Sequence, residues 1–225
     1  SFDLFGAIFY MLSILVLCFG VSYLPSTQSF ILIFFSLFGF IFFFLFERKH
    51  NHPIFDTTLF FTNRVFTFSC LASLIIYTAT FANVVQVNLY LQYLKGFSAT
   101  TAGAIVMCQP ITMAIFSPLA GKLADKFEPK YLSTAGMAIT CFGLIMLSNL
   151  KIDSELNYLI LSLVITGFGF SLFSPPNVNA IMGSVEKKFY GSATGAMATM
   201  RILGQMSSMV LVTLIFALVI GNVDI

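Results

Sequence analysis

Seven runs of about 20 mainly apolar residues follow one another along the chain, at 4–24, 28–46, 65–91, 99–121, 131–150, 157–183 and 192–221. A helix of that length crosses a hydrocarbon core about 30 Å thick. With no water in that core, each backbone N–H and C=O must be satisfied inside the segment, so such runs specify helices. The separators are turn sequences: Pro25-Ser26-Thr27, Lys95-Gly96-Phe97-Ser98 and Lys151-Ile152-Asp153-Ser154-Glu155. Only 9% of residues are charged and 58% are hydrophobic, where a soluble domain carries about 25% charged. Soluble enzymes and disordered tails are thereby excluded, and a formal charge of +2 offers no basic surface for nucleic acid. The expected fold is an all-α integral membrane bundle of seven transmembrane helices, whose first partner is the lipid bilayer.

The stretch 47–64 is the one separator with room for more than a turn. Phe55, Leu59 and Phe60 follow Pro53, and Asp56 is placed to cap a short helix. This reads as an amphipathic segment lying on the membrane surface. The organisation is then two spans in 1–46, a surface loop at 47–64 and five spans in 65–225. Alternating the loops puts Arg48, Lys49, Arg64, Lys122, Lys126, Lys130, Lys187 and Lys188 on one side, against Lys95 and Lys151 on the other. Positive residues collect on the cytoplasmic side. The N-terminus is therefore expected inside and the C-terminus outside, in a cell membrane. A seven-helix receptor would place this excess on the wrong face.

Catalysis finds no support. His50 and His52 lie in a charged loop, and Cys18, Cys70, Cys108 and Cys141 are scattered through apolar runs as small buried hydrophobes. No metal, cofactor or enzymatic activity is expected.

Ionisable groups inside a bilayer are costly and mark functional sites. All nine carboxylates fall at span ends or in loops, and Arg201 is the only charge within a span. Entering near Ser192, Arg201 lies about 14 Å deep at 1.5 Å per residue. Thr194, Gln205 and Ser208 fall near its side of the helix. On the third span Asn83, Gln86 and Tyr90 share an arc of about 60°, and Gln109 precedes Pro110 in the fourth. These residues line a water-filled cavity or bond helix to helix. Pro175 and Pro176 remove backbone donors and kink a helix, while Gly167 and Gly169 beside them permit close approach. Gly191 and Gly195 have helix-packing spacing.

The loop Gly121-Lys122-Leu123-Ala124-Asp125-Lys126-Phe127-Glu128-Pro129-Lys130 resembles the G-x-L-A-D-R-x-G-R-R/K motif of the major facilitator superfamily. Gly121, Leu123, Ala124, Asp125, Lys126 and Lys130 match it; Glu128 stands where the family carries its second glycine. Physically, Gly121 lets a helix end and the chain reverse. Asp125 is an anion set near a helix N-terminus, and Lys126 and Lys130 can pair with it, forming a latch that breaks in another conformer. The flanking pieces extend the likeness: Leu89-Tyr90-Leu91-Gln92, Phe46-Glu47-Arg48, Gly167-Phe168-Gly169 with Pro175-Pro176, and Gly191-Ser192-Ala193-Thr194-Gly195 with Arg201. In order and spacing they are similar to the fourteen-span drug:proton antiporters (EmrB/QacA type).

That resemblance implies two extra central spans in 1–46, followed by five helices of a C-terminal six-helix bundle in 65–225. The last span and an N-terminal six-span bundle, the partner of this half, would lie outside the chain, which starts at Ser1 rather than Met. It further implies alternating access, with protons exchanged for small amphipathic compounds. The titrating carboxylate would then belong to the partner half. A carrier for a metabolite, lipid or siderophore shares the same features, and a non-transporting seven-helix membrane protein is the alternative of another class.

Overall fold

A computed structural model describes residues 4–23, 26–47 and 58–219. The described residues are helical with short turns: α1 Leu4–Ser22, α2 Thr27–Glu47, α3 Thr58–Thr62, α4 Arg64–Thr80, α5 Asn83–Leu89, α6 Ala99–Val106, α7 Cys108–Ala124, α8 Pro129–Ser148, α9 Leu156–Gly183 and α10 Tyr190–Val219. A π turn at Tyr90–Leu94 follows α5, and a 3-10 turn at Lys187–Phe189 precedes α10. The protein is an all-helical membrane bundle. Among the described residues, five segments are long and apolar enough to cross a bilayer: Arg64–Leu94, Ala99–Ala124, Pro129–Ser148, Leu156–Gly183 and Lys187–Phe216. Over the first two expected spans lie shorter apolar segments, Met11–Gly20 and Thr27–Phe42. Of the surface loop expected at 47–64, residues 48–57, including Pro53 and Asp56, lie outside the described residues; 58–62 form α3.

Contacts gather the chain into two compact units, Ser1–Ala82 with Ser184–Ile225, and Asn83–Gly183. The five spans expected in 65–225 are thus divided, with α4 and α10 in the first unit and α5 to α9 in the second. In the first unit α1 pairs with α2: Ser36 Oγ donates to the Ser13 carbonyl at 2.8 Å, and the Phe9 and Phe42 rings meet at 5.3 Å. The α4 helix is capped by Asn63, whose Oδ1 accepts from Phe66 N at 3.1 Å while its Nδ2 donates to the Ser184 carbonyl at 2.6 Å. Phe66, Cys70 and Ile76 of α4 are buried, as are Ala193 and Ala196 of α10.

The second unit is built around α9. Small residues let backbones approach where no hydrophobic force drives helices together in lipid. A Cβ on Gly136 of α8 would stand 2.6 Å from Phe173 N, and one on Gly143 would strike Thr166. Val87, Leu91, Ala102, Ile105, Val106, Leu159 and Leu163 form the apolar core beside this seam.

Two of the spans are interrupted. The third breaks at Phe81–Ala82, where Thr78 and Thr80 donate their hydroxyls to the Leu74 and Ile76 carbonyls at 2.8 and 2.7 Å. The π turn then ends at Gly96, whose φ of 71° is the left-handed conformation glycine adopts without strain. The fourth span resets at Met107, because Pro110 cannot donate to the carbonyl four residues back. By contrast, α9 continues through Pro175 and Pro176 as one helix.

Candidate functional site

Arg201 lies midway along the apolar segment Lys187–Phe216. With Gly204 and Ser208 it forms an i, i+3, i+7 stripe, and that stripe faces α4. A Cβ on Gly204 would stand 2.7 Å from the Leu74 carbonyl and 2.8 Å from the Tyr77 Cβ. Only glycine permits so close a crossing. One turn earlier, the Arg201 side chain hydrogen-bonds Tyr77. One turn later, the buried Ser208 Oγ accepts from Ala82 N at 3.0 Å. It thereby satisfies a donor at the break in the third span. The stripe expected around Arg201 is therefore divided in function. Ser208 seals a helix interruption, Thr194 donates to the carbonyl of Tyr190 on its own helix at 2.8 Å, and Gln205 is half-buried. Arg201 itself is exposed on the chain's surface.

Tyr77 was missed by sequence reasoning. The available signal was its depth: a tyrosine in the middle third of Arg64–Leu94 sits far from the interfaces where tyrosines gather.

The other cavity candidates lie in the second unit, and the structure does not gather them into one polar wall. Asn83 and Gln86 are half-buried on α5. Tyr90 packs on the apolar core and donates through Oη to the Lys151 carbonyl at 2.7 Å. Beside it Lys95 Nζ donates to the Ser154 carbonyl at 2.6 Å. A cavity of about 100 Å³ lies among Tyr90, Lys95, Phe97, Ser154 and Leu156. Tyr90 thus ties a span end to a loop. Gln109 is 7% exposed, its Oε1 has no hydrogen-bond partner, and its carbonyl would meet a Cβ on Gly167 of α9 at 2.5 Å. It belongs to a helix contact. Gly169 faces Thr140 and Gly136 of α8 with the same closeness. Gly191 and Gly195 differ: a Cβ on either meets nothing within 4 Å.

The loop between α7 and α8 departs from its expected geometry. Instead of ending at Gly121, α7 runs on through Lys122, Leu123 and Ala124, and Asp125 is its C-cap. These three residues are adequate helix formers, and nothing forces a stop before them. Lys126 N and Phe127 N close the turn on the Leu123 carbonyl at 3.0 and 2.9 Å. Glu128, at φ −56° and ψ 127°, then N-caps α8 with Pro129 at its first position. The anion at a helix N-terminus is therefore Glu128, while Asp125 sits at the negative end of α7. Lys130 pairs with Glu128 at 2.5 Å and lies 4.8 Å from the Tyr131 ring centroid. Asp125 and Lys126 are exposed, and no ion pair involves Asp125 among the described residues.

Residues 69–221 match the sequence profile of the Major Facilitator Superfamily. The riboflavin transporter RibZ of Clostridioides difficile is 34% identical over 157 residues, 70% of this chain and 34% of the relative. Multidrug resistance protein 3 of Bacillus subtilis is 30% identical over 207 residues, 88% of this chain and 40% of the relative. The multidrug transporter protein MdtP of the same organism is 29% identical over 169 residues, 75% of this chain and 31% of the relative. The chain thus spans 31–40% of the length of these relatives. With its apolar helices and its profile match over 69–221, the chain belongs to the major facilitator superfamily of membrane transporters.

Proposed function

We propose that this chain is part of a proton-coupled exporter of small amphipathic compounds working by alternating access. The observation that carries the reading is Arg201, a permanent charge midway along a spanning helix. Such a charge is retained where it meets substrate or a coupling group. Two relatives named for multidrug transport or resistance support export of drug-like compounds. No carboxylate lies in the interior of a span, so the proton-coupling acid belongs to a partner bundle of six further spans. The midplane site would lie at the meeting of the two bundles.

The exposed turn carrying Asp125 and Lys126 is the latch in this reading. Asp125 makes no ion pair among the described residues and is available to pair in another state of the cycle. The excess of Lys and Arg supports a cytoplasmic position for this turn and an external one for 151–155, in a plasma membrane. Cysteines introduced at Lys126 and Asp153 in a cysteine-free background should label from opposite faces of intact cells. Labelling of both from one face would remove the topology.

A second reading, a metabolite carrier, is favoured by the riboflavin transporter relative at 34% identity. Everted membrane vesicles carrying the full-length protein should take up ethidium when a proton gradient is imposed and release it when the gradient is collapsed. Uptake of riboflavin with no ethidium movement would select the second reading. Movement of neither would end the export proposal.

A further inference from the structure

We propose that Tyr77 is the positioning residue for Arg201 and that the pair binds a carboxylate group at mid-depth in the membrane. The inference deepens the transport reading and rests on it for the depth of the site. Tyr77 and Arg201 lie near the middle of Arg64–Leu94 and Lys187–Phe216 respectively. The Gly204 crossing draws α10 onto α4 beside Tyr77, and the Arg201 side chain bonds the tyrosine one turn away.

That bond does not complete the needs of the arginine. A guanidinium carries five N–H donors, and a phenolic oxygen offers at most two acceptor lone pairs. A cation in a low-dielectric span needs an anion as well as hydrogen bonds. The planar fork of arginine matches a carboxylate in two parallel bonds. Arg201 is exposed in this chain, so its fork is accessible. All nine carboxylates of the chain lie at span ends or in loops. The anion therefore comes from outside it, on a transported solute or on the remainder of the transporter. Tyr77 contributes direction: by taking one edge of the guanidinium it restricts the long side chain's rotamers, which are otherwise costly to order.

The test uses the full-length protein with carboxyfluorescein as the anionic probe and ethidium as the cationic one. Affinity is read by fluorescence anisotropy on purified protein, and KM and turnover by uptake into everted vesicles. Losing one charge-assisted hydrogen bond should cost about ten-fold. If the carboxylate is the solute's, Tyr77→Phe raises the carboxyfluorescein KM and Kd by that factor and leaves ethidium unchanged. If it belongs to the transporter, turnover of both probes falls about ten-fold with KM unchanged. In either case Tyr77→His, which restores an acceptor, recovers part of the loss, and the melting temperature of Tyr77→Phe matches wild type. Three results would overturn the proposal: Tyr77→Phe equal to wild type in Kd, KM and turnover; a loss that follows a lowered melting temperature without rescue by histidine; or no carboxyfluorescein binding by wild type alongside unchanged ethidium turnover. A wild type that moves neither probe ends the export reading instead. The pair is then decided by anisotropy alone: weaker binding in Tyr77→Phe sustains it, and equal or absent binding removes it.

Discussion

Arg201→Ala is expected to abolish export while leaving protein levels intact, and Arg201→Lys to retain part of the activity. The separation of the two effects follows from the membrane. A central arginine opposes insertion of a helix by about 2.5–3.5 kcal/mol on a translocon scale, so alanine should insert at least as well. The close crossing of α4 and α10 runs through Gly204, which the substitution leaves in place. The Tyr77 hydroxyl loses one hydrogen bond with the arginine, worth about 1 kcal/mol. Folding thus loses little, while the site loses its charge. Lysine restores the charge as a point without the fork, hence partial activity. Immunoblotted membrane fractions with ethidium uptake in everted vesicles provide the measurement. Near-normal uptake by the alanine variant would reduce Arg201 to a residue that helps hold two helices together.

The apolar runs were legible because each sums about 20 residues, and no single side chain decides the outcome. Seven were expected; among the described residues five stand as segments long enough to cross, and shorter apolar helices lie over the first two. The interruptions were harder, since they arise from competition between neighbours. At the break in the third span, Ser208 from another helix takes the Ala82 N–H. Pro175 and Pro176 sit inside one continuous helix, while the single Pro110 accompanies a break at Met107. A missing donor says where a ladder is weak; the packing around it decides whether the helix yields. In the Gly121 loop the matching residues drew attention to the right turn. The helix nevertheless runs three residues past the glycine, because a glycine permits an end without requiring one.

The candidate site was partly legible for a related reason. Depth along a span can be counted in residues, so Arg201 stood out. The direction a side chain faces depends on which helix lies opposite. For Tyr90 and Gln109 the sequence left a cavity and a helix contact open; in the structure Tyr90 donates to a loop carbonyl, and the Gln109 backbone lies against Gly167 of α9. Glycine spacing has the same weakness. A Cβ on Gly191 or Gly195, at the familiar interval, meets no atom within 4 Å among the described residues, while Gly204, alone in its stretch, makes the close crossing to α4.

That contrast yields opposite signs for the same substitution. Gly169→Ala should lower stability by about 1–3 kcal/mol, in the range for overpacked interiors. Its new methyl would strike Thr140 N and stand 2.6 Å from Thr140 Oγ1 and 2.8 Å from the Gly136 carbonyl. Two of those atoms are backbone, so neither can rotate away; α8 must move off α9. The same displacement opens the neighbouring contacts, where a Cβ on Gly136 would stand 2.6 Å from Phe173 N and one on Gly143 would strike Thr166. Gly195→Ala in α10 meets no atom within 4 Å. It should be neutral or stabilising by up to about 1 kcal/mol, the intrinsic gain of alanine over glycine in a helix. Thermal unfolding of both variants of the purified full-length protein in detergent tests the pair, with melting temperatures moving in opposite directions or Gly169→Ala alone falling. Equal shifts would mean that α8 and α9 do not meet at these glycines. A fall for Gly195→Ala would place a neighbour against the open face of α10, and a partner bundle seated there in the whole transporter would be the occupant to examine by crosslinking at that position.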